Sequence, residues 1–220
     1  VGSYHLLKHN NGKGVMIGQM DNMDPRVVTV IGAGVSGTQS ILKAIDNNAL
    51  VRVVDSSQSK LDELKLQYGS NNVEYILSTK DSIQSSINDS DLVIGSVYVV
   101  GKEAPKVITR EMLSSMNPGT VMVDVSIDQG GCFETSKPTT HDNPTFLENE
   151  IVHYCVTNMP GAVPLTATEA LNKVTLSYIE YIANNGVSNA LDSDEHLMNG
   201  LNIKDGIIVH PAVKEALSRL

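Results

Sequence analysis

The chain has 220 residues, with 16 Lys and Arg against 25 Asp and Glu, a formal net charge of −9 and 41% hydrophobic residues. This length exceeds the roughly 100–150 residues of a typical domain, so the bound is one large domain, or one domain plus part of another, with enough apolar mass for a core. The few scattered basic residues form no Lys/Arg stripe, which disfavours nucleic acid and anionic membrane as partners.

No apolar run approaches the roughly 18–20 residues of a membrane span, and no leader pattern opens the chain, so a cytoplasmic protein is expected. Its two cysteines, Cys132 and Cys155, sit in no zinc-type cluster, and its six histidines lack metal-ligand spacing; reduced buried thiols and no metal are expected. Val1 to Lys8 reads like the middle of a helix and does not begin with Met, which points to a fragment, with residues 1–14 assigned to a helix end and linker.

Along the chain, Val27–Ile31 is a β-branched strand followed at once by Gly32-Ala33-Gly34-Val35-Ser36-Gly37 and then a helix over Thr38–Ile45. Leu50–Val54 is a second strand ending at Asp55, and Ser59–Tyr68 carries Leu61, Leu64 and Tyr68 at helical spacing. Further strands are predicted over Val73–Leu77, Asp91–Gly95, Gly119–Asp124 and Ile151–Val156. Short helices are predicted over Asp81–Ile87, capped by Thr79 or Asp81, and over Thr109–Leu113. Such alternation predicts a doubly wound α/β fold whose parallel sheet is covered on both faces. Beyond Pro164 a long amphipathic helix spans Thr166–Ala183, followed by shorter, more polar segments. We therefore assign 15–163 to a Rossmann domain and 164–220 to part of a second, incomplete domain.

A lone G-x-G-x-x-G is weak evidence, but here it lies between a strand and a helix. Gly32 permits the tight turn, Gly34 lets the backbone approach a pyrophosphate, and Gly37 lets helix and strand pack closely. Asp55, eighteen residues after Gly37, ends the second strand where a carboxylate accepts ribose hydroxyls and repels a 2′-phosphate. That favours NAD over NADP. Lys60 is either a surface lysine or one that reaches the adenosine end.

Three later stretches carry chemistry. Asp128, in Asp124-Val125-Ser126-Ile127-Asp128-Gln129-Gly130-Gly131-Cys132, follows a strand end, where ligands bind in open parallel sheets. It holds a water or ammonium group, orients the nicotinamide, or caps the glycine pair as a turn residue. His141 is a proton carrier or a loop histidine bonded to its neighbours. In Val156-Thr157-Asn158-Met159-Pro160-Gly161, Asn158 suits a carboxamide and Met159 an aromatic ring, while the prolines at 160 and 164 fix a domain crossing.

With these motifs the chain resembles the C-terminal part of the alanine dehydrogenases, a family related to the transhydrogenase α-subunits. The resemblance spans essentially the whole chain. It is carried by Gly32 to Gly37, Asp91 to Gly95, Val123 to Thr135, Thr139-Thr140-His141-Asp142, and His153-Tyr154-Cys155 running into Asn158 to Pro164. It implies reversible oxidation of L-alanine to pyruvate and ammonia with NAD. It also implies that Val35, Ser36, Asp55, Lys60 and Ser78 line the adenosine and phosphate part, and that Val97, Tyr98, Ile127, Asp128, Asn158 and Met159 surround the nicotinamide. Val125, Ser126, Val156 and Thr157 join the cofactor contacts, and Asp128 becomes the catalytic aspartate.

The family's acid/base imidazole and its cationic groups for the substrate belong to an N-terminal domain, and no histidine here matches by motif. Two departures stand out: Asp46-Asn47-Asn48 where glycine is usual, and Tyr98 where an aliphatic residue is usual. A homo-oligomer, usually a hexamer, is implied. A transhydrogenase-like NAD(H) module and a non-catalytic NAD-sensing or interface protein are the competing readings.

Overall fold

The computed structural model describes residues 1–99 and 103–218. By compactness these form two units, one made of residues 1–99 and 103–157 and the other starting at Asn158. The sequence reading drew its boundary at 163, and its ranges 15–163 and 164–220 include residues 100–102 and 219–220, which lie outside the described residues.

In the first unit, strands β1 (Val27–Ile31), β2 (Leu50–Asp55), β3 (Val73–Leu77), β4 (Leu92–Gly95), β5 (Val121–Asp124), β6 (Thr145–Glu148) and β7 (Ile151–Tyr154) make one sheet. Their order is β3-β2-β1-β4-β5-β7-β6. All pairings are parallel except β6 with β7. The all-parallel expectation is thus corrected at this edge. β6 arrives through a two-residue turn, Asn149-Glu150, with both φ positive (+50° and +60°). That is hairpin geometry normally marked by glycine, and glutamate there hid the signal.

The helices α1 (Gly2–His5), α2 (Val35–Asp46), α3 (Gln58–Tyr68) and α4 (Lys80–Ile87) flank the sheet. Side chains fix where two of them start. Ser57 accepts from the Lys60 amide ahead of α3, and Thr79 and Ser82 form a reciprocal capping box on α4. The turn after α2 closes with Asn48 at φ +55°, so asparagine fills the left-handed position as expected. The predicted helix at 109–113 is instead a 3-10 turn over Glu111–Ser115 without a side-chain cap.

Apolar packing on one sheet face joins Ile31, Val54, Val93 and Met122 to Ile87, Leu113 and Phe133. Arg52 of β2 crosses to α4, donating to the Ser86 carbonyl and pairing with Asp89 and Glu74. Its guanidinium holds the Asp89 carboxyl below the usual range. The first residues are part of this unit. Leu6 is fully buried, and Lys13 donates to the Ser90 carbonyl and to Asp91, whose other oxygen accepts from the first amide of β1.

His153 of β7 is fully buried, stacked on Phe146 at 4.9 Å. Its Nδ1–H donates to the Ile151 carbonyl (3.1 Å), leaving Nε2 to accept from the Thr135 hydroxyl (2.8 Å). Burial lowers its pKa below the ordinary 6.5, against the opposing pull of Glu148 and Asp124. The unfolded chain then takes up a proton that the fold resists, so stability falls as pH drops through about 6.5 and is flat above it. Unfolding free energies from urea titrations between about pH 7.5 and 5.5 are expected to fall by up to ~1.4 kcal/mol per pH unit from this histidine, and His153→Phe is expected to flatten that slope.

The second unit holds α5 (Pro164–Asn185), α6 (Val187–Ser193), α7 (Glu195–Asn199), the hairpin β8 (Ile203–Lys204) and β9 (Ile207–Ile208), and α8 (Pro211–Leu217). Helix α5 outruns its predicted span at both ends. Pro164 starts it, because a first-turn proline lacks only an amide that would go unpaired, and Gly186 at φ +75° ends it. The Tyr181 and Ser193 hydroxyls, 2.8 Å apart, tie α5 to α6. Among the described residues no helix is long and apolar enough to cross a membrane, and no group of three or more His, Cys, Asp and Glu is placed to hold a metal ion.

Candidate functional site

The carboxyl ends of β1, β2 and β4 open onto a cleft of about 710 Å³ lined by Gly32, Gly34, Val35, Ser36, Asp55, Ser78, Ser96, Val97, Tyr98, Pro105 and Val107, among others. Between β1 and β4 the chain's winding reverses direction, which leaves a crevice at the strand ends. Each glycine of the turn has its own reason. A Cβ on Gly32, at φ +93°, would lie 2.3 Å from the Ser96 carbonyl oxygen, and one on Gly37 would lie 1.8 Å from the Gly32 oxygen. A Cβ on Gly34 would meet nothing within 4 Å, so that glycine borders open space.

Helix α2 begins at this space with no side-chain cap. Its first-turn amides therefore face outward with the positive end of the helix dipole, an arrangement that fits a diphosphate. Asp55 ends β2 with its carboxylate already oriented: Oδ2 accepts from the Ala33 amide (2.7 Å) and Oδ1 from the Ser57 amide (2.8 Å). Each oxygen keeps a further lone pair, enough to receive a ribose diol. Val35, 87% exposed, and Tyr98, 66% exposed, are large apolar surfaces left uncovered on the same rim.

A second, smaller cleft of about 200 Å³ adjoins the first, sharing Ser36, Ser96, Val97 and Tyr98 and adding Val125, Ser126, Asp128 and Gln129. Asp128 sits exposed on a 3-10 turn, Ile127–Gln129, which ends in Gly130 and Gly131, both left-handed (φ +85° and +78°). Beneath the turn lies Asp124, a fully buried carboxylate. Its Oδ1 accepts from the Ser126 amide (3.0 Å) and its Oδ2 from the Cys132 amide (2.8 Å), the Phe133 amide (3.3 Å) and the Ser136 hydroxyl. Burial and the neighbouring Asp124 push the Cys132 thiol far up, and burial pushes Cys155 up to about 11, so both are unreactive thiols.

Not every expected residue reaches a cleft. Lys60 pairs with Glu63 (3.1 Å) and lines neither. Ile127 and Val156 are buried at 3% and 0% exposure, so their side chains belong to the core and only their backbone is available to a ligand. His141 is exposed on the loop before β6 and lines neither cleft. Thr157 is exposed at the end of the first unit. Asn158 and Met159 belong to the second unit, where Asn158 adopts the left-handed conformation (φ +54°) ahead of a 3-10 turn over Met159–Ala162. Sequence reasoning missed Asp124 as an anchor, although it ends β5 as Asp55 ends β2; it also missed Pro105 and Val107, which no spacing pattern marks.

Sheet order, crossovers and glycine turn define a Rossmann-type domain of the doubly wound α/β class. The chain belongs to the alanine dehydrogenase/PNT, C-terminal domain family, whose profile matches residues 1–211. It is 46% identical over 215 residues to an alanine dehydrogenase of Halomonas elongata, covering 98% of this chain and 58% of that protein. A solved L-alanine dehydrogenase superposes with a TM-score of 0.90 at 40% identity, over 99% of this chain and 60% of the other. A transhydrogenase from Sinorhizobium meliloti is less similar, with a TM-score of 0.69 and 25% identity over 89% of this chain and 54% of the other. The chain thus spans less than two thirds of the length of these relatives.

Proposed function

We propose that this chain is the NAD-binding portion of an enzyme that converts L-alanine, NAD and water to pyruvate, ammonium, NADH and a proton, reversibly. The observation that carries the reading is the join of two clefts: one fits a dinucleotide's diphosphate and ribose, and the adjoining one is lined by Asp128. NAD, when bound, supplies the hydride acceptor. The outward amides of α2 hold its phosphates across Gly34, and Asp55 takes the ribose hydroxyls. Lys60 and Ser78 belong to the adenosine side of this reading. By the resemblance Val97, Tyr98, Ile127, Asn158 and Met159 belong to the nicotinamide side, and Val125, Ser126, Val156 and Thr157 join the cofactor contacts, the buried ones through their backbone. Asp128 orients the water that adds to the imine of the oxidised substrate and receives its proton.

The substrate's carboxylate and carbonyl are held by residues outside this chain, in keeping with its share of the relatives' length. In the same reading residues 15–163 are the NAD domain, 164–220 belong to the substrate domain, and the enzyme works in the cytoplasm as a homo-oligomer, with a hexamer implied by the resemblance alone. The likeness to the transhydrogenase favours a second reading, a module that passes hydride to another domain, in which L-alanine would yield no NADH.

The gene product is expected to bind NADH, followed by its fluorescence, at least about tenfold more tightly than NADPH, because Asp55 repels a 2′-phosphate. Asp55→Ala is expected to weaken NADH binding about tenfold, or ~1.4 kcal/mol, and to narrow that preference. Equal affinity of the unmodified protein for both nucleotides would contradict the electrostatic argument.

A further inference from the structure

The two glycines that let the Asp128 turn form also leave it loose, since glycine has the most conformational freedom to lose on folding. Gly131 is required by packing as well as by φ, because a Cβ there would lie 2.7 Å from Asp124 Oδ2; Gly130 has open space around it. Asp124 holds the Ser126 and Cys132 amides on either side, and the Ser126 and Ile127 carbonyls accept within the turn. Among the described residues no backbone amide donates to the Gly130 or Gly131 carbonyl.

Both carbonyls are taken by one side chain. Lys106 Nζ donates to Gly130 O and, at 2.7 Å, to Gly131 O. The segment carrying Lys106 runs beside the turn as a backbone clamp, with Ala104 N donating to Gln129 O (3.0 Å), Val107 N to Cys132 O (2.8 Å) and Glu134 N to Ile108 O (2.8 Å). In an extended segment alternate side chains point to opposite sides. Pro105 and Val107 accordingly line the large cleft, while Lys106 reaches the turn that bears Asp128.

We infer that Lys106 is a positioning residue for the reaction: its ammonium pins the Gly130-Gly131 carbonyls and so fixes Asp128 at the mouth of the smaller cleft. The amides of α2 and Asp55 lie elsewhere in the site and do not depend on it, so the effect falls on turnover rather than on nucleotide binding. The inference rests on the functional reading above, so its test includes a measurement that does not.

In the gene product, Lys106→Met is expected to lower kcat for NADH formation from L-alanine by about 10- to 100-fold, with the Kd for NADH changed by less than about threefold. Lys106→Arg, whose guanidinium can span two carbonyls, is expected to return kcat to within about threefold of the parent. Hydrogen exchange of peptides covering 126–133 is expected to speed up in Lys106→Met and be restored in Lys106→Arg, while peptides covering 32–37 stay unchanged. A Lys106→Met protein with parental kcat overturns the inference. So does one that loses NADH binding and turnover together, or one whose 126–133 exchange is unaltered. A parent protein that makes no NADH from L-alanine sinks the functional reading instead, and the exchange measurement then decides the role of Lys106 by itself.

Discussion

Asp128→Asn in the gene product is expected to lower NADH formation from L-alanine by about 10²- to 10⁴-fold, the range lost when a positioned acid or base is removed. The substitution keeps the shape of the side chain and removes only its charge and basicity. Asp128 is exposed in the middle of a turn whose hydrogen bonds are made by other groups, namely the Ser126 and Ile127 carbonyls, Asp124 and Lys106. Loss of its charge should therefore leave the fold and the NADH affinity in place, and melting temperature and fluorescence titration check both. An Asp128→Asn enzyme with parental kcat would remove Asp128 from the chemistry and return it to the role of a residue before a glycine pair.

Asp124→Ala is expected to act on the fold itself, lowering unfolding free energy by about 3–5 kcal/mol in a urea titration. The carboxylate is fully buried and gathers the Ser126, Cys132 and Phe133 amides and the Ser136 hydroxyl. Removing it leaves these donors without an acceptor in a dry interior, where each unmade bond costs about 1–3 kcal/mol. Cys132 gives an independent reading, because Asp124 together with burial suppresses its ionisation. Once the loop is released, the thiol should react with a disulfide reagent that leaves the parent untouched. Unchanged urea midpoint and thiol reactivity in Asp124→Ala would show that the loop is held by something else.

How well the sequence revealed each part follows from how local its causes are. Strands β1 and β3 match their predicted bounds because β-branched runs and flanking turn residues are adjacent in the chain. The cap of α4 could be narrowed to Thr79 or Asp81 for the same reason, and the structure selects Thr79. The 3-10 turn at 111–115 was not, since a tight connector and a short helix share one apolar spacing. Strand β6 escaped because its hairpin turn uses glutamate at positive φ, and the β8–β9 hairpin was passed over despite the Asp205-Gly206 pair that turns it.

The glycine turn and Asp55 could be placed from sequence because strand, turn, helix and acid follow one another within about thirty residues, and each residue type is required by sterics or charge at its own step. The Asp128 turn could be located that way but not explained. Part of what holds it is local, since Asp124 ends β5 within the same stretch, but Lys106 arrives from a segment 24 residues before Gly130. A hydrogen bond between residues that far apart leaves no periodicity in the sequence, since a lysine at that position reads as a surface charge. Only the sheet, by bringing β4 and β5 side by side, sets their carboxyl-end loops next to one another. That contact turned a glycine pair with an exposed aspartate into a clamped site next to the nucleotide cleft.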